Sequence, residues 1–282
     1  MRAALLAALL LACGHPPRGP AVGPATPAAV SLAAAAPLVT PGERMTFRMQ
    51  LRGVELAAMT LVVGEMTQLD GHDVIVVQSH AQSVGLASLV AAVDDTFTSW
   101  IDVTTGRTQR FTVTEFETGS RTNVEHTVAS IGQRESDVIP VEFALNDGEP
   151  RPEPQTVSHA DIWDFNTFLI ALRSWEGKPG TRTSMEAFRS RWMWQLDVQI
   201  GGRETLSTEL GEMPALRFDA RGYRLHRTGK RDAGSETRAF SIWISDDDGR
   251  VPLKVKAKTD YGDVTLDIVD YQPGTGERLR RR

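Results

Sequence analysis

Residues 43–51, Glu43-Arg44-Met45-Thr46-Phe47-Arg48-Met49-Gln50-Leu51, place Met45, Phe47, Met49 and Leu51 in strict alternation with Arg44, Thr46, Arg48 and Gln50. A period of two sends successive side chains to opposite faces of an extended strand, so one face is apolar and the other meets water. The alternation recurs over 96–102, 110–116, 188–200 and 239–245, and in the third of these Phe188, Trp192, Trp194, Leu196, Val198 and Ile200 are expected to share a face. Denser apolar runs at 58–63 and 73–77 are rich in β-branched residues, as strands buried on both faces are. Turn dipeptides fall between the runs: Asp70-Gly71, Thr105-Gly106, Thr118-Gly119, Asp147-Gly148, Gly201-Gly202 and Asp248-Gly249. The pattern predicts a mainly β protein, an antiparallel meander forming a curved sheet or half-barrel.

One segment departs from it. In Ser158 to Ser174, Ile162, Phe165, Leu169 and Leu172 recur at spacings of three and four, the signature of one helix face. Ser158 and Asp161 resemble a capping pair at its start. The proline-rich stretch 150–154 before it suits a crossover between two halves of a sheet. One helix is therefore expected, packed on the concave face.

The chain has 282 residues, of which 41% are hydrophobic and 24% charged, with a formal net charge of −5. Such a composition supports a core without disulfides, and the charge carries no basic field for nucleic acid. The only cysteine, Cys13, follows Met1-Arg2 and a run of Ala and Leu from Ala3 to Ala12. That run has the charged and apolar regions of an export signal and is too short to span a bilayer as a stable helix. Leu10-Leu11-Ala12-Cys13 resembles the lipobox of bacterial lipoproteins. The resemblance implies cleavage after Ala12 and acylation of Cys13, and two or more acyl chains hold a protein stably on a membrane. Gly14, in place of Asp, resembles the outer-membrane default of enteric lipoproteins. A secretory signal cut further along is the alternative.

Residues 14–41 are dominated by Pro, Ala and Gly and bury too little apolar surface to order themselves. They read as a tether spanning roughly 30 Å as a coil and about 85 Å extended. The expected organisation is a signal peptide at 1–12, a disordered tether at 13–41, a single β-rich domain at 42–272 and a basic flexible tail at 273–282. The tail, Arg278-Leu279-Arg280-Arg281-Arg282, is either solvated or drawn to anionic headgroups.

With the strands placed, four stretches resemble an uncharacterised bacterial envelope family, the domain of unknown function numbered 3108. They are PGERMTFRMQLRGVELAAMTLVVGEM, VDDTFTSWIDVTTGRTQRF, DIWDFNTFLIALRSWEGKPG and IWISDDDGRVPLKVKAKTDYGDVTLDIVDY, and the similarity spans most of 41–271. Where a Gly-x-x-x-Gly spacing is expected after the first strand, Gly53 is followed by Ala57 and Ala58. A looser resemblance, of architecture alone, is to periplasmic lipoprotein carriers whose half-barrel sheet curves around helices.

Motifs of catalysis and metal binding are weak. An EF-hand loop begun at Asp246 would need Gly at 251 and Glu at 257, and the chain has Val251 and Ala257. The histidines at 15, 72, 80, 126, 159 and 226 lack the spacing of a helical metal pair; His159 with Asp161 and Asp164 reads better as helix-terminal charge. No G-x-S-x-G is present, and Gly274-Thr275-Gly276 lacks a phosphate-loop setting. The expectation is a protein that is not an enzyme and holds no cofactor or metal. A groove for a lipid or other hydrophobic ligand is expected between sheet and helix, lined by Phe165, Leu169, Leu172, Trp192 and Trp194, although aromatics on strands equally well fill a core. The alternative is an envelope interaction protein with a filled interior that docks a protein partner.

Overall fold

A computed structural model describes residues 35–90, 92–118, 122–259 and 262–279. Cys13 and most of the tether therefore lie outside the described residues, as do Gly119 and Arg280 to Arg282. In chain order the elements are β1 (Arg44–Leu51), β2 (Val54–Leu69), β3 (His72–Ser83), α1 (Gly85–Val90), β4 (Val93–Asp102), β5 (Thr108–Thr118), β6 (Thr122–Ala129), β7 (Val138–Ile139), β8 (Val141–Leu145), β9 (Arg151–Pro152), β10 (Gln155–Thr156) and β11 (Ile162–Asp164). They continue with α2 (Phe165–Ser174), β12 (Arg182–Arg189), β13 (Trp192–Thr208), β14 (Gly211–Arg224), β15 (Arg238–Ser245), β16 (Pro252–Thr259) and β17 (Gly262–Gln272).

Fifteen of these strands form one sheet in the order β11-β12-β13-β14-β15-β16-β17-β1-β2-β3-β4-β5-β6-β8-β9. Two meanders, β12 to β17 and β1 to β6, are joined where β17 pairs antiparallel with β1, Met49 opposite Leu266. Only the edge pair β11–β12 is parallel among the described strands. After β9 the chain reaches β11 at the opposite edge within ten residues, so the sheet must be rolled until its edges are near neighbours. The edges overlap and do not join. Ile162, Phe188 and Met193 from one end form a small core with Phe111, Val113 and Val141 from the other. Both edges are protected, since β11 is buried and β9 is two residues long and ends in proline.

The main core lies inside the roll, where inward residues of β1 (Met45, Phe47, Met49) and of β13 (Trp194, Leu196, Val198) meet α2. The helix is shorter than the periodicity predicts. It begins at Phe165, and Asp164, not Ser158 with Asp161, is its cap: the Asp164 carboxylate accepts from the Asn166 and Thr167 amides at 2.9 and 3.1 Å. Ser158 instead donates its backbone N–H to Glu186, and 162–164 form β11. Asp164 also accepts from Ser99, Thr108 and Thr167 hydroxyls at 2.6 to 2.7 Å, and Asn166 donates to the Val77 and Phe97 carbonyls. This buried network pins the helix start to β3, β4 and β5.

At the other end Arg173 and Glu43, each 1% exposed, make a bidentate pair at 2.8 Å. Tyr271 donates to Glu43 at 2.9 Å, and Arg250 donates to the Arg173 and Trp175 carbonyls. Burial and the Glu43 charge push the Tyr271 hydroxyl up to about 12.

Three further features differ from the sequence reading. Residues 188–200 are not one strand: β12 turns into β13 at Ser190, whose φ of 51° is left-handed, so Phe188 and Trp192 do not share a face. Gly201-Gly202 is not a turn but the interior of β13, where the register slips between Ile200 and Arg203, and a Cβ on Gly201 would come within 3.0 Å of Asp219. Residues 35–41 and 273–279, assigned to tether and tail, pack on the domain: Val39 is fully buried, bridged to Leu279, and the Thr275 and Gly276 amides donate to the Pro41 carbonyl. Arg278 donates to the Asp248 carbonyl, so this tail residue is engaged by the fold.

Candidate ligand site between helix and sheet

A helix capped by Asp164 and beginning at Phe165 turns Phe165, Phe168 and Leu169 toward the inner face of the sheet, the i, i+3, i+4 set that one helix face presents. Across from them stand Trp194, Phe240 and Val255, inward by the two-residue period of β13, β15 and β16. Between the layers is an apolar slot of about 40 Å³. Phe165, Leu169 and Trp194, three of the five residues expected to line a groove, border this slot. Leu172 does not: it is fully buried, one turn further along the helix, in filled core. Trp192 does not line the slot either. It sits half-buried at the end of β13 with the guanidinium groups of Arg191, Arg224 and Arg227 4.7 to 5.1 Å from its ring.

Arg189 is the charged residue of the slot's lining. It shares its surroundings with Asp95 of β4 and Glu115 of β5, which are directly paired across the two strands. All three occupy inward positions of their strands, in phase with Ala187, Phe97 and Val113. Burial pushes the Asp95 carboxyl up to about 7, with the Glu115 charge adding to it and the Phe116 amide and Arg189 opposing. Burial raises Glu115 as well, against the hydrogen bond it accepts from Ser190 and the charge of Arg189. Desolvation lowers Arg189 despite its two acidic neighbours. Two carboxylates converge here that no sequence motif marks. The signal was the strand period itself, which assigns Asp95, Glu115 and Arg189 to the face that holds the core.

A larger concavity, about 760 Å³, lies on the outer face of β12 to β16 and is bordered by Arg182, Asp197, Asp219, Arg221, Lys256 and Lys258. Its acids are occupied within the sheet, Asp197 by Ser184 and Asp219 by Ser241, each at 2.7 Å. It is a solvated strand face. The acidic turn after β15 is similarly self-contained: Asp247 accepts from Ser245 and the Arg250 amide, and Asp246 pairs with Arg203.

A sheet rolled until its edges overlap, with one packed helix inside, defines the class of fold. The chain belongs to the family described as "Protein of unknown function (DUF3108)", whose model matches residues 46–269. No curated protein matches it. Among solved structures it is similar in fold to a beta-barrel-like protein of domain of unknown function DUF1849 from Brucella abortus, at 9% identity and a TM-score of 0.54, covering 84% of this chain and 99% of that one. The hypothetical lipoprotein YmcC from Escherichia coli aligns over 83% of this chain and 86% of its own at 12% identity, with a TM-score of 0.31 that is too low to establish a common fold.

Proposed function

We propose that this chain is a non-catalytic lipoprotein of the bacterial cell envelope, facing the periplasm from the outer membrane. Acylated Cys13 holds it there, and the domain takes a lipid acyl chain or other hydrophobic ligand into the slot between α2 and the sheet. The slot is the observation that supports this reading: its lining is apolar on both layers, and it lies against Arg189. At about 40 Å³ it is far smaller than the roughly 300 to 1,000 Å³ of a ligand pocket, so entry requires α2 to move off the sheet. The helix is suited to that. Its polar ties are concentrated at Asp164 to Thr167 and at Arg173, and residues 168–172 between them are all apolar.

Dense packing of the core around the slot, among the described residues, favours a second reading, an envelope protein that docks a partner through its outer surface. The protected edges make strand addition an unfavourable way of doing so. Mass spectrometry of an organic extract of the full chain, purified under mild conditions, separates the two. A stoichiometric acyl-bearing species is expected; an empty protein that takes up no added lipid would sink the ligand reading and leave docking. The anchor has its own test: Cys13→Ser is expected to move the chain from the membrane fraction to the soluble periplasmic one, and continued sedimentation with membranes would contradict acylation at Cys13.

A further inference from the structure

Around Trp192 and Phe143 four arginines gather with few acids to balance them. The guanidinium carbons of Arg191, Arg224 and Arg227 lie 4.8, 4.7 and 5.1 Å from its ring centroid, so no two can be more than about 10 Å apart. Arg191 also lies 4.3 Å from the Phe143 ring, which Arg151 approaches at 4.9 Å from the same cluster. Glu153 is shared by Arg151 and Arg227, and Asp232 is taken by Arg224. Among the described residues Arg191 has no carboxylate within 4.0 Å; Glu115 feels its charge at longer range. Burial holds Arg227 below the usual guanidinium range, and Arg191 and Arg151 push it in the same direction against Glu153.

Like charges packed this closely repel, and a surface that only needed solubility would spread them. The Arg191 guanidinium carbon lies within 5 Å of both ring centroids, close enough to be attracted by each ring. A guanidinium carries its N–H groups in a planar fork that matches phosphate oxygens bidentately. A phosphate, with two negative charges and three oxygens to share, balances a surplus that a single carboxylate would leave partly unmet.

We propose that Arg191, close to both Phe143 and Trp192 and grouped with Arg224 and Arg227, is the centre of a binding site for a phosphate group. Arg191 and Trp192 are not part of the apolar slot's lining, and the proposal does not depend on that slot. Its phosphate is either free in solution or the headgroup of a phospholipid.

Two titrations of the full chain carrying Cys13→Ser, so that no anchor reports, distinguish these sources. In one, inorganic phosphate is added in a calorimeter. In the other, the chain is sedimented with vesicles of phosphatidylcholine, with and without phosphatidic acid. Saturable binding that Arg191→Ala weakens about tenfold or more, and Arg191→Lys only partly restores, is expected in at least one arm. Binding in the first arm identifies free phosphate, and binding confined to phosphatidic acid vesicles identifies a headgroup. Arg221→Ala, on the outer face, is expected to change neither. The proposal is overturned if neither arm shows binding, if Arg191→Ala binds as the parent does, or if Arg221→Ala loses as much. Arg191→Gln, which keeps the stem and a flat polar end, repeats the test should the alanine variant lose its cooperative unfolding.

Discussion

Replacing Arg173 with alanine is expected to destabilise the domain by about 3 to 5 kcal/mol, because it leaves the Glu43 carboxylate buried without its countercharge. Removing both partners at once, Glu43→Leu with Arg173→Met, is expected to recover most of that loss. The desolvation of two charges disappears along with their attraction, and about 1 to 2 kcal/mol remains for the Tyr271 hydroxyl and Gly249 carbonyl that lose a partner. Urea unfolding of the three variants measures this directly. A single variant that loses less than about 1 kcal/mol would mean that water reaches the pair. A double variant as unstable as the single would mean that the buried charge is not the cause. The pair also fixes the C-terminal end of α2, so Arg173→Ala is expected to loosen the helix over the slot and increase the fluorescence of a bound apolar dye while the domain is still folded.

The second large effect is a dependence on pH carried by Asp95. Its carboxyl stands at about 7 in the folded chain against 3.8 for the unperturbed group, so between those values the folded state holds a proton that the unfolded chain has released. A raised acid contributes stability that is complete below pH 4 and is lost as pH rises through about 7, and the raised Glu115 acts in the same direction. The span corresponds to on the order of 4 kcal/mol for Asp95 as an upper bound. Asp95→Asn keeps an oxygen for the Phe116 amide and has nothing to ionise. Relative to the parent it is expected to be far more stable at pH 8 than at pH 4, a difference that denaturant unfolding at both pH values would reveal. A constant difference across that range would show that Asp95 ionises as freely as in the unfolded chain. Since Arg189 interacts with Asp95 and also lines the slot, the charge state of this cluster is coupled to the slot's lining.

Most strands were legible because their signal is local. Alternation of Met45, Phe47 and Met49 with polar neighbours requires a half-buried strand whatever it pairs with, and Asp70-Gly71 and Asp248-Gly249 mark turns through their own backbone preferences. The inner helix was legible from its apolar spacing, and Phe165, Leu169 and Trp194 on the slot followed from the two periodicities together. The short α1, six residues of Gly, Ala, Ser and apolar side chains, has too few turns for a period to show.

What the sequence by itself determined is thus the mainly β class, the family, the run of antiparallel strands and the apolar face of α2, because each depends on residues within a few positions of one another. Tertiary structure decided the rest. The helix starts after Asp164, its cap, because Ser99 and Thr108, far away in the chain, meet the Asp164 carboxylate there, and 162–164 join a sheet edge instead. Ser190 turns the chain without a glycine, and Gly201-Gly202 bends a strand where a turn was expected, because the packing of neighbouring strands outweighs local preference. Leu172 fills core while Leu169 borders the slot, and Trp192 collects arginines while Trp194 lines it. Periodicity gives a residue its face, and only the roll of the sheet, which brings its two ends into contact, sets what that face meets.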